Sequence, residues 1–457
     1  MSPEEFRRYG KQVVDWIADY LEDIESQPVR SQAKPGDVRS MLPPHPPEQG
    51  EPYENVLRDM EQVILPGVTH WQHPSFFAYF PANASGPAIL GDLLSAGLGV
   101  QGMVWATSPA CTELETVVAD WLAELLGLPF RTDGVAGGVI QDSASSAALV
   151  AVLAALRKSG RPGRIYVSSQ THSALEKAAR IVGSEVCVVD VAPDTLAMDP
   201  VLLHALIAED VAAGRKPALV CATVGTTSTT AIDPVREIGA VCREFGVWLH
   251  IDAAYAGVAA ICPELRWIND GVAEYADSYA TNPHKWLLTN FDCGVLWVRD
   301  RRPMIDALSI LPEFLRNQAS ESGQVIDYRD WQVPLGRRFR ALKLWSVIRW
   351  YGAEGLRAHI RAGVSLAQRF AELVAADPDF LLWEHHPFGL VCFRPLRTSP
   401  EQTLAMMEKV NDSGALYLSH TKVADQVLLR MAIGAPATTV EHVDQAWRAI
   451  RAALPGA

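Results

Sequence analysis

The stretch Thr281-Asn282-Pro283-His284-Lys285-Trp286 places one lysine between a polar, turn-prone pair and an apolar segment. A second apolar segment, Cys293 to Val298, follows it and is typical of a strand. Protein packed around such a lysine excludes water from the amine, which lowers its pKa and makes it a nucleophile. The ordinary alternative is a solvated loop lysine, and only the residues upstream of Lys285 decide between the two.

Helix and strand patterns alternate from about residue 110 onward. Short apolar segments rich in β-branched residues are the candidate strands, at 164–168, 185–191, 218–224, 247–251 and 278–280. Helical patterns lie around and between them, at 112–126 (with a capping box at Thr112 and Glu115), 143–159, 172–182 and 234–245. This alternation predicts an α/β fold with a mostly parallel, doubly wound sheet.

The two ends of the chain have different patterns. Residues 1–28 predict an amphipathic helix, and the Pro-rich residues 34–52 predict an extended strap that packs with that helix on a partner subunit. Long helices at 336–352 and 355–376 lead into strands near 390–394 and 427–432 and helices near 403–413 and 440–454, a small α+β lobe. We expect a helical arm and strap at 1–85, a large domain at 86–360 and a small domain at 361–457.

Composition limits the classes of partner. The 457 residues include 40 basic and 53 acidic ones, and the net charge of −13 argues against nucleic acid or an anionic membrane as the main partner. The seven cysteines form no CxxC pair, which fits a reduced, cytoplasmic protein, and no metal site is predicted. The most apolar long stretch, 86–105, contains Asp92, Gln101 and several glycines, so we expect buried protein and no membrane span.

Two features upstream of Lys285 give it a chemical context. Small residues and hydroxyls in Gly137–Ser146 open a helix, where main-chain N–H groups and the helix dipole bind phosphate; an ordinary helix cap is the alternative. Asp252 ends an apolar strand, at the edge where α/β sheets bind ligands, and could equally cap a helix. A carboxylate there keeps a pyridine nitrogen protonated. The phosphate site, Asp252 and Lys285 together predict a pyridoxal 5'-phosphate site.

On these residues the chain resembles the pyridoxal-phosphate-dependent aromatic L-amino acid decarboxylases, the group II decarboxylases. The matching segments span nearly the whole chain and include 73–81, 108–115, the stretch around Asp252, 282–286 and 334–340. The resemblance implies fold type I, with a seven-stranded, mostly parallel sheet and a small α+β C-terminal domain. It also implies a homodimer whose two active sites lie at the subunit interface.

The resemblance assigns a role to each candidate cofactor residue. Lys285 attaches the cofactor covalently, and Asp252 pairs with its pyridine nitrogen. Ala254 lies on one face of the ring, and His172 lies on the other face near the substrate carboxylate. The remaining cofactor contacts are Ser143, Ala144, Ser145, Thr227, Asn282 and His284.

One loop residue departs from the amine-forming members of the family. Phe314 occupies the position where those enzymes carry a tyrosine that delivers a proton to the substrate carbon. Relatives with phenylalanine there release an arylacetaldehyde with CO₂, ammonia and peroxide. Tyr328 and His172 are other candidate proton donors. The expected activity is decarboxylation to an arylalkylamine, with aldehyde synthesis as the alternative and an inactive or chemically different homologue as a second alternative.

The substrate pocket is expected to be apolar and aromatic. Its candidate residues, most of them assigned by the resemblance, are Trp71, Tyr79, Phe80, Pro81, Ala82, Gln101, Met103 and Gly336. Ala82 replaces a threonine that can bond a catechol hydroxyl, and Gly336 is the small residue of indole-tolerant relatives. We therefore expect tryptophan or phenylalanine to be preferred over tyrosine and DOPA.

Overall fold

The computed structural model describes residues 1–132, 134–160, 162–310, 325–384 and 386–455. The chain divides into two compact units. The first unit comprises Met1–Pro81, Ser365–Trp383 and Gly389–Ala457, and the second comprises Ala82–Val364 and Glu384–Phe388. The roles expected for 1–85, 86–360 and 361–457 stay predictions.

The second unit contains a seven-stranded sheet. Its strands are β1 (Gly137–Gln141), β2 (Arg164–Ser168), β3 (Val186–Val189), β4 (Pro217–Thr223), β5 (Trp248–Asp252), β6 (Ser278–Thr281) and β7 (Gly294–Val298). Their order in the sheet is β1-β7-β6-β5-β4-β2-β3. Neighbours from β6 to β3 run parallel, whereas β7 runs antiparallel to both β6 and β1. The prediction of an α/β fold with a mostly parallel sheet is confirmed.

The described α-helices alternate with these strands and continue to the C-terminus. They are α1 (Pro3–Glu22), α2 (Asp37–Met41), α3 (Tyr53–Asp59), α4 (Gly86–Leu98), α5 (Pro109–Leu126), α6 (Ala144–Ser159), α7 (Ser173–Val182), α8 (Pro200–Ala212), α9 (Val235–Phe245), α10 (Val272–Tyr275), α11 (Pro283–Trp286), α12 (Arg302–Leu308), α13 (Ala341–Ala375), α14 (Pro400–Asp412) and α15 (Val440–Ala452). Helix α13 is kinked at Gly352, whose φ of 60° and ψ of 177° are accessible to glycine alone.

The Ala-rich helix α6 lies at the centre of the second unit's core. Small side chains such as Ala147, Ala151 and Ala154 are at most 1% exposed and let the helix approach the sheet closely. Larger side chains from the strands and from Tyr328 and Trp331 complete the cluster. Each large apolar side chain buried in this way contributes about 1.5–3 kcal/mol to folding.

The first unit contains a four-stranded antiparallel sheet. Its strands are β8 (Phe380–Leu382), β9 (Leu390–Pro395), β10 (Ser419–Val423) and β11 (Gln426–Ala432), in the order β10-β11-β9-β8. Phe77 joins this sheet because its N–H donates to Tyr417 O and its carbonyl accepts from the Ala432 N–H, both at 2.9 Å. Phe77 also lies in the apolar core with residues of α14 and α15.

Four local predictions were wrong. The Pro-rich strap contains the short helix α2, and residues 336–340 precede the long helix instead of opening it. Gly137–Gln141, expected at the start of a helix, forms strand β1, because pairing with β7 outweighs the poor strand propensity of two glycines. The cap of α5 is Ser108, whose Oγ accepts from the Cys111 N–H at 3.3 Å, so no capping box forms at Thr112 and Glu115.

The described residues contain neither a membrane-spanning helix nor a cluster of metal ligands. In the part of the chain that the structure describes, no helix is long and apolar enough to cross a membrane. Within the same ranges, no group of three or more His, Cys, Asp or Glu side chains is arranged to hold a metal ion.

Candidate active site

The carboxyl edge of strands β4, β5 and β6 brings the predicted catalytic residues together. Asp252 is the last residue of β5 and lies in register with Thr223 of β4 and Ala280 of β6. The segments that follow are bonded to each other, because Ala253 N–H donates to Ala280 O at 2.9 Å and Asn282 N–H donates to Ala254 O at 3.0 Å. Lys285 follows three residues after Asn282, so the carboxylate and the amine share one edge of the sheet.

The Asp252 carboxylate is fixed by its own turn. The residue is 7% exposed, and Oδ1 accepts a hydrogen bond from the Ala254 N–H at 3.0 Å. Burial lowers the pKa of both Lys285 and His172, and the negative charge of Asp252 opposes that shift in each. The carboxylate is therefore the local counter-charge for any cation bound in this site.

The amine of Lys285 has a lowered pKa. Desolvation is the larger cause, and the charge of Asp252 opposes it. Lys285 lies on the one-turn helix α11, which is anchored because the Trp286 ring stacks on Tyr255 with centroids 5.0 Å apart. A lowered pKa increases the neutral, nucleophilic fraction of the amine, as covalent catalysis requires.

The N-terminus of α6 converges with Asn282. Ser143 caps this helix, and its Oγ accepts from the Ser146 N–H at 3.3 Å. A Cβ added to Gly294 would lie 2.7 Å from Asn282 Oδ1 and 3.4 Å from the Ser143 carbonyl carbon, so only glycine allows this approach. Asn282 Oδ1 is buried and has no hydrogen-bond partner among the described residues, as expected where a ligand completes the site.

These residues fit pyridoxal phosphate. The positive end of α6 with Ser143 and Ala144 suits a phosphate dianion, and Ser145 is exposed in the first turn. Asp252 suits a protonated pyridine nitrogen, and Lys285 supplies the amine that reacts with an aldehyde. Ala254, two residues after Asp252, is half-buried, and its carbonyl accepts the Asn282 N–H.

His172 caps helix α7 through its own ring. Nδ1 accepts the Ala174 N–H at 3.1 Å, which leaves Nε2 as the nitrogen that carries the proton in the neutral ring. Desolvation lowers the pKa of His172; Asp252 opposes that effect and Lys285 adds to it. The neutral ring is thus a hydrogen-bond donor at Nε2.

The ring of His284, the residue before Lys285, also accepts a main-chain N–H at Nδ1. Its Nδ1 accepts the Cys293 N–H at 2.8 Å, and burial is the main cause that lowers its pKa to about 4. Thr227, by contrast, is exposed on the loop between β4 and α9, which is closed by a hydrogen bond from Gly225 N–H to Ala231 O at 3.0 Å.

Four of the predicted pocket residues, Ala82, Gln101, Met103 and Gly336, belong to the second unit. Gln101 Oε1 accepts the Arg337 N–H at 2.8 Å, and its Nε2 lies 3.2 Å from where a Cβ on Gly336 would stand. Met103 O accepts the Arg329 N–H at 3.0 Å. Ala82, half-buried, belongs to the same unit.

The other predicted pocket residues belong to the first unit and form an aromatic group. Trp71 stacks on Tyr79 with ring centroids 5.8 Å apart, and both are exposed. Tyr79 has a φ of 54°, rare for a non-glycine residue and a mark of strained, functional sites. Phe80 is buried beneath the Arg430 guanidinium, and Pro81 ends the segment.

Phe314 marks the loop position of the catalytic tyrosine, and Tyr328 is the candidate substitute for that proton donor. Phe314 lies outside the described residues. Tyr328 is 1% exposed, and its hydroxyl is hydrogen-bonded to Gly138 O at 3.2 Å and to Thr116 Oγ1 at 2.9 Å. Burial raises the pKa of Tyr328. This phenol is part of the core, so it is a poor substitute for a catalytic tyrosine.

A buried ion pair that the sequence did not reveal supports the site. Glu115 pairs with Arg337, both with side chains 1% exposed, and Glu115 Oε1 also accepts the Ile140 N–H at 2.8 Å. Arg337 Nη1 donates to Gln332 Oε1 at 2.6 Å. The pair therefore connects β1 to the segment that carries Gly336. Gly294 was also missed, although a glycine at the start of an apolar strand is a signal of close approach.

Comparison with known proteins gives consistent results. The family described as "Pyridoxal-dependent decarboxylase conserved domain" matches residues 35–396. A phenylacetaldehyde synthase of Arabidopsis thaliana is 49% identical over 471 residues, covering 99% of this chain and 96% of that protein. Tryptophan decarboxylase 2 of Oryza sativa subsp. japonica is 46% identical, covering 99% and 95% of the two chains.

A solved structure has the same fold over its full length. The crystal structure of an Oryza sativa TDC with PLP and tryptamine superposes with a TM-score of 0.96 at 40% identity. The match covers 99% of this chain and 98% of that one. The fold, the cofactor class and the enzyme class predicted from the sequence are confirmed.

Proposed function

The chain belongs to the pyridoxal-dependent decarboxylase family, and on that premise we propose that it decarboxylates aromatic L-amino acids to arylalkylamines and CO₂. The observation that carries the proposal is the shared sheet edge of Asp252 and Lys285, where desolvation lowers the pKa of the amine and Asp252 supplies the counter-charge. Tryptophan and phenylalanine are proposed ahead of tyrosine and DOPA.

Lys285 has two tasks in this scheme. Its neutral amine would hold the cofactor covalently, and it would be free again while the substrate amine is bound there. When bound, pyridoxal phosphate supplies an electron sink for the pair left on the substrate carbon as CO₂ departs. Asp252, held by the Ala254 N–H, keeps the pyridine nitrogen protonated and so maintains that sink.

His172 orients the departing group. Its ring presents Nε2–H, because Nδ1 is occupied by the Ala174 N–H. This N–H can donate one hydrogen bond to the substrate carboxylate and so fix its orientation. The same Nε2–H is a proton source for the substrate carbon after CO₂ has left.

Aldehyde synthesis is the second candidate function. It is favoured by Phe314, which has no proton to deliver, and by the 49% identity to a phenylacetaldehyde synthase. In that reaction the amino acid, O₂ and water give an arylacetaldehyde, CO₂, ammonia and H₂O₂. O₂ accepts the two electrons that protonation would otherwise retain on carbon.

An aerobic assay with phenylalanine and tryptophan separates the two functions. Amine, aldehyde and peroxide are measured against CO₂ released. Amine equal to CO₂ without peroxide supports the decarboxylase and rejects the aldehyde synthase, whereas peroxide equal to CO₂ gives the reverse conclusion. A purified protein that shows no visible absorbance from lysine-bound cofactor would reject both.

Phe314→Tyr is expected to shift the product toward amine. A phenol at this position supplies the missing proton, and general-acid catalysis of this kind is worth about 10²–10⁴-fold. We expect the amine-to-aldehyde ratio to rise by at least about tenfold if the wild type makes aldehyde. Phe314→Leu is the control, since it changes the ring without adding a proton, and an equal shift in that variant would contradict the argument.

Gly336→Ser is expected to reduce the efficiency for tryptophan more than for phenylalanine. The new side chain would stand 3.2 Å from Gln101 Nε2, and Gln101 cannot swing away freely because Arg337 N–H holds its Oε1. One added group in a pocket changes discrimination by about 10–200-fold, so we expect about a tenfold fall in the tryptophan-to-phenylalanine ratio of kcat/KM. Gly336→Ala separates size from hydrogen bonding, and an unchanged ratio in both variants would remove Gly336 from the pocket.

The proposed function includes a quaternary structure and a cellular compartment for the enzyme. We propose a cytoplasmic homodimer in which residues 1–85 pack on the partner subunit. Helix α1 supports this, because it exposes Phe6, Val14 and Leu21 on the described chain. Sedimentation of the full chain and of a chain without the first helix tests it, and an unchanged monomer in both would contradict it.

A further inference from the structure

Arg329 is a buried cation whose hydrogen-bonding groups are unused. Its side chain is 3% exposed, and Nε, Nη1 and Nη2 have no hydrogen-bond partner among the described residues. The nearest carboxylate oxygen, on the adjacent Asp330, lies 3.5 Å from Nε, within ion-pair range but without a hydrogen bond. A buried polar group left in this way in a native protein calls for an explanation.

Other buried or half-buried cations of the second unit donate hydrogen bonds to carboxylates. Arg337 is bonded to Glu115 and Gln332, and Arg340 binds Asp292 with two hydrogen bonds of 3.1 and 3.0 Å. Lys343, whose side chain is 0% exposed, donates to Asp92 at 3.0 Å. These cations donate hydrogen bonds to carboxylates, whereas all three guanidinium nitrogens of Arg329 lack a hydrogen-bond partner among the described residues.

The charge of Arg329 cannot be removed by deprotonation, because a guanidinium stays protonated in proteins. Burying it without acceptors is costly. Its planar fork of donors matches the two oxygens of a carboxylate. The missing acceptor is thus an anion, and a carboxylate fits it best.

The turn that carries Arg329 is bonded to the strand that leads into the candidate active site. It lies on the 3₁₀ turn Tyr328–Trp331, and its own N–H donates to Met103 O. Tyr328 Oη donates to Gly138 O, and Gln141 Nε2 donates to Trp331 O at 2.8 Å, both on strand β1. Strand β1 ends two residues before Ser143, so the turn that bears Arg329 is fastened to the strand leading into the phosphate site.

We propose that Arg329 binds the α-carboxylate of the incoming amino acid. The proposal rests on the proposed function for the identity of the ligand, and it adds a substrate-binding residue to that site. The guanidinium gains its missing acceptors when the substrate arrives. Because the carboxylate leaves as CO₂, the product amine no longer satisfies Arg329, and product release is favoured.

This role predicts a particular kinetic pattern. A charge pair with the carboxylate stabilises bound substrate and has less to offer the transition state, in which negative charge leaves that group. Loss of Arg329 should therefore raise KM by more than it lowers kcat. Arg329→Lys, which keeps the charge and loses the fork, should fall between wild type and Arg329→Gln.

The closing experiment compares two ligands on the holoenzyme by calorimetry, without turnover. 3-Phenylpropanoate carries the carboxylate and no amine, and phenethylamine carries the amine and no carboxylate. In Arg329→Gln we expect the acid to bind about ten- to a hundredfold more weakly, and the amine to change by less than about threefold. Equal weakening of both ligands, or of neither, would overturn the proposal.

Thermal unfolding of the holoenzyme without substrate provides the second measurement. Arg337→Met, which breaks a satisfied buried pair, is the matched control and should lower Tm clearly. Arg329→Met should leave Tm unchanged or raise it, and a fall as large as that of Arg337→Met would show a structural cation and overturn the proposal. If no aromatic amino acid is turned over, the proposed function fails while the calorimetric comparison still tests Arg329.

Discussion

Replacing Lys285 by alanine is expected to abolish turnover, lowering kcat on the order of 10³-fold or more. The amine is the group that attaches the cofactor, and its pKa is already lowered by desolvation for that purpose. We also expect the visible absorbance of lysine-bound cofactor to disappear. Both changes follow from the loss of one nitrogen, since the short helix that carries it remains anchored by Trp286 on Tyr255.

The control for this variant is Lys177→Ala, an exposed lysine on α7. It should retain the absorbance and the rate of the wild type. Borohydride treatment followed by peptide mapping should locate the cofactor on Lys285 in the wild type. Cofactor found on another lysine, or a Lys285→Ala protein that keeps its rate, would refute the assignment.

Asp252→Asn is expected to be the second most damaging change. The amide keeps the shape of the carboxylate and can still accept the Ala254 N–H, but it cannot hold a proton on the pyridine nitrogen by charge. Loss of one electrostatic group of this kind costs on the order of 10²–10³-fold in kcat. The cofactor should still bind, with altered absorbance. A rate within about threefold of wild type would contradict the role of Asp252.

Asp233→Asn is the matched control, because it also removes a buried carboxylate beside the end of β4. Asp233 accepts N–H groups from Met198 and Thr223, each at 2.7 Å, and burial raises its pKa to about 6. Its carboxyl thus favours folding below its unfolded pKa, and this stabilisation is lost as the pH rises through about 6. The variant should lose that pH dependence and keep the cofactor absorbance and most of the rate.

Sequence patterns predicted the centre of the fold and the cofactor residues. Asp252 could be placed because an apolar segment ends at it, and Ser143 because a hydroxyl precedes an Ala-rich helix. These are local signals, in which the residues that define an element are neighbours in the sequence. Lys285 could be assigned as the cofactor lysine because the phosphate site, Asp252 and Lys285 follow one another in this order.

The remaining features depend on contacts between distant segments. Strand β1 was missed because its partner is β7, and no local pattern marks Gly137 and Gly138 as a strand. Helix α5 begins at Pro109, a residue well suited to the first helical position, and this makes Ser108 the N-cap. The unsatisfied guanidinium of Arg329 has no sequence signal at all, since composition does not show which charges find partners.

The pairing of β1 also fixes when the active site can form during synthesis. Gly137–Gln141 bonds to Gly294–Val298 alone in the described sheet, so the strand leaves the ribosome long before its only partner. Until then an apolar edge is exposed and open to pairing with other chains. Strand β1, which leads into the helix that would receive the phosphate, can enter the sheet only after residue 298 has been made. We therefore expect the strand that leads into the phosphate site to be among the last parts of the described sheet to pair.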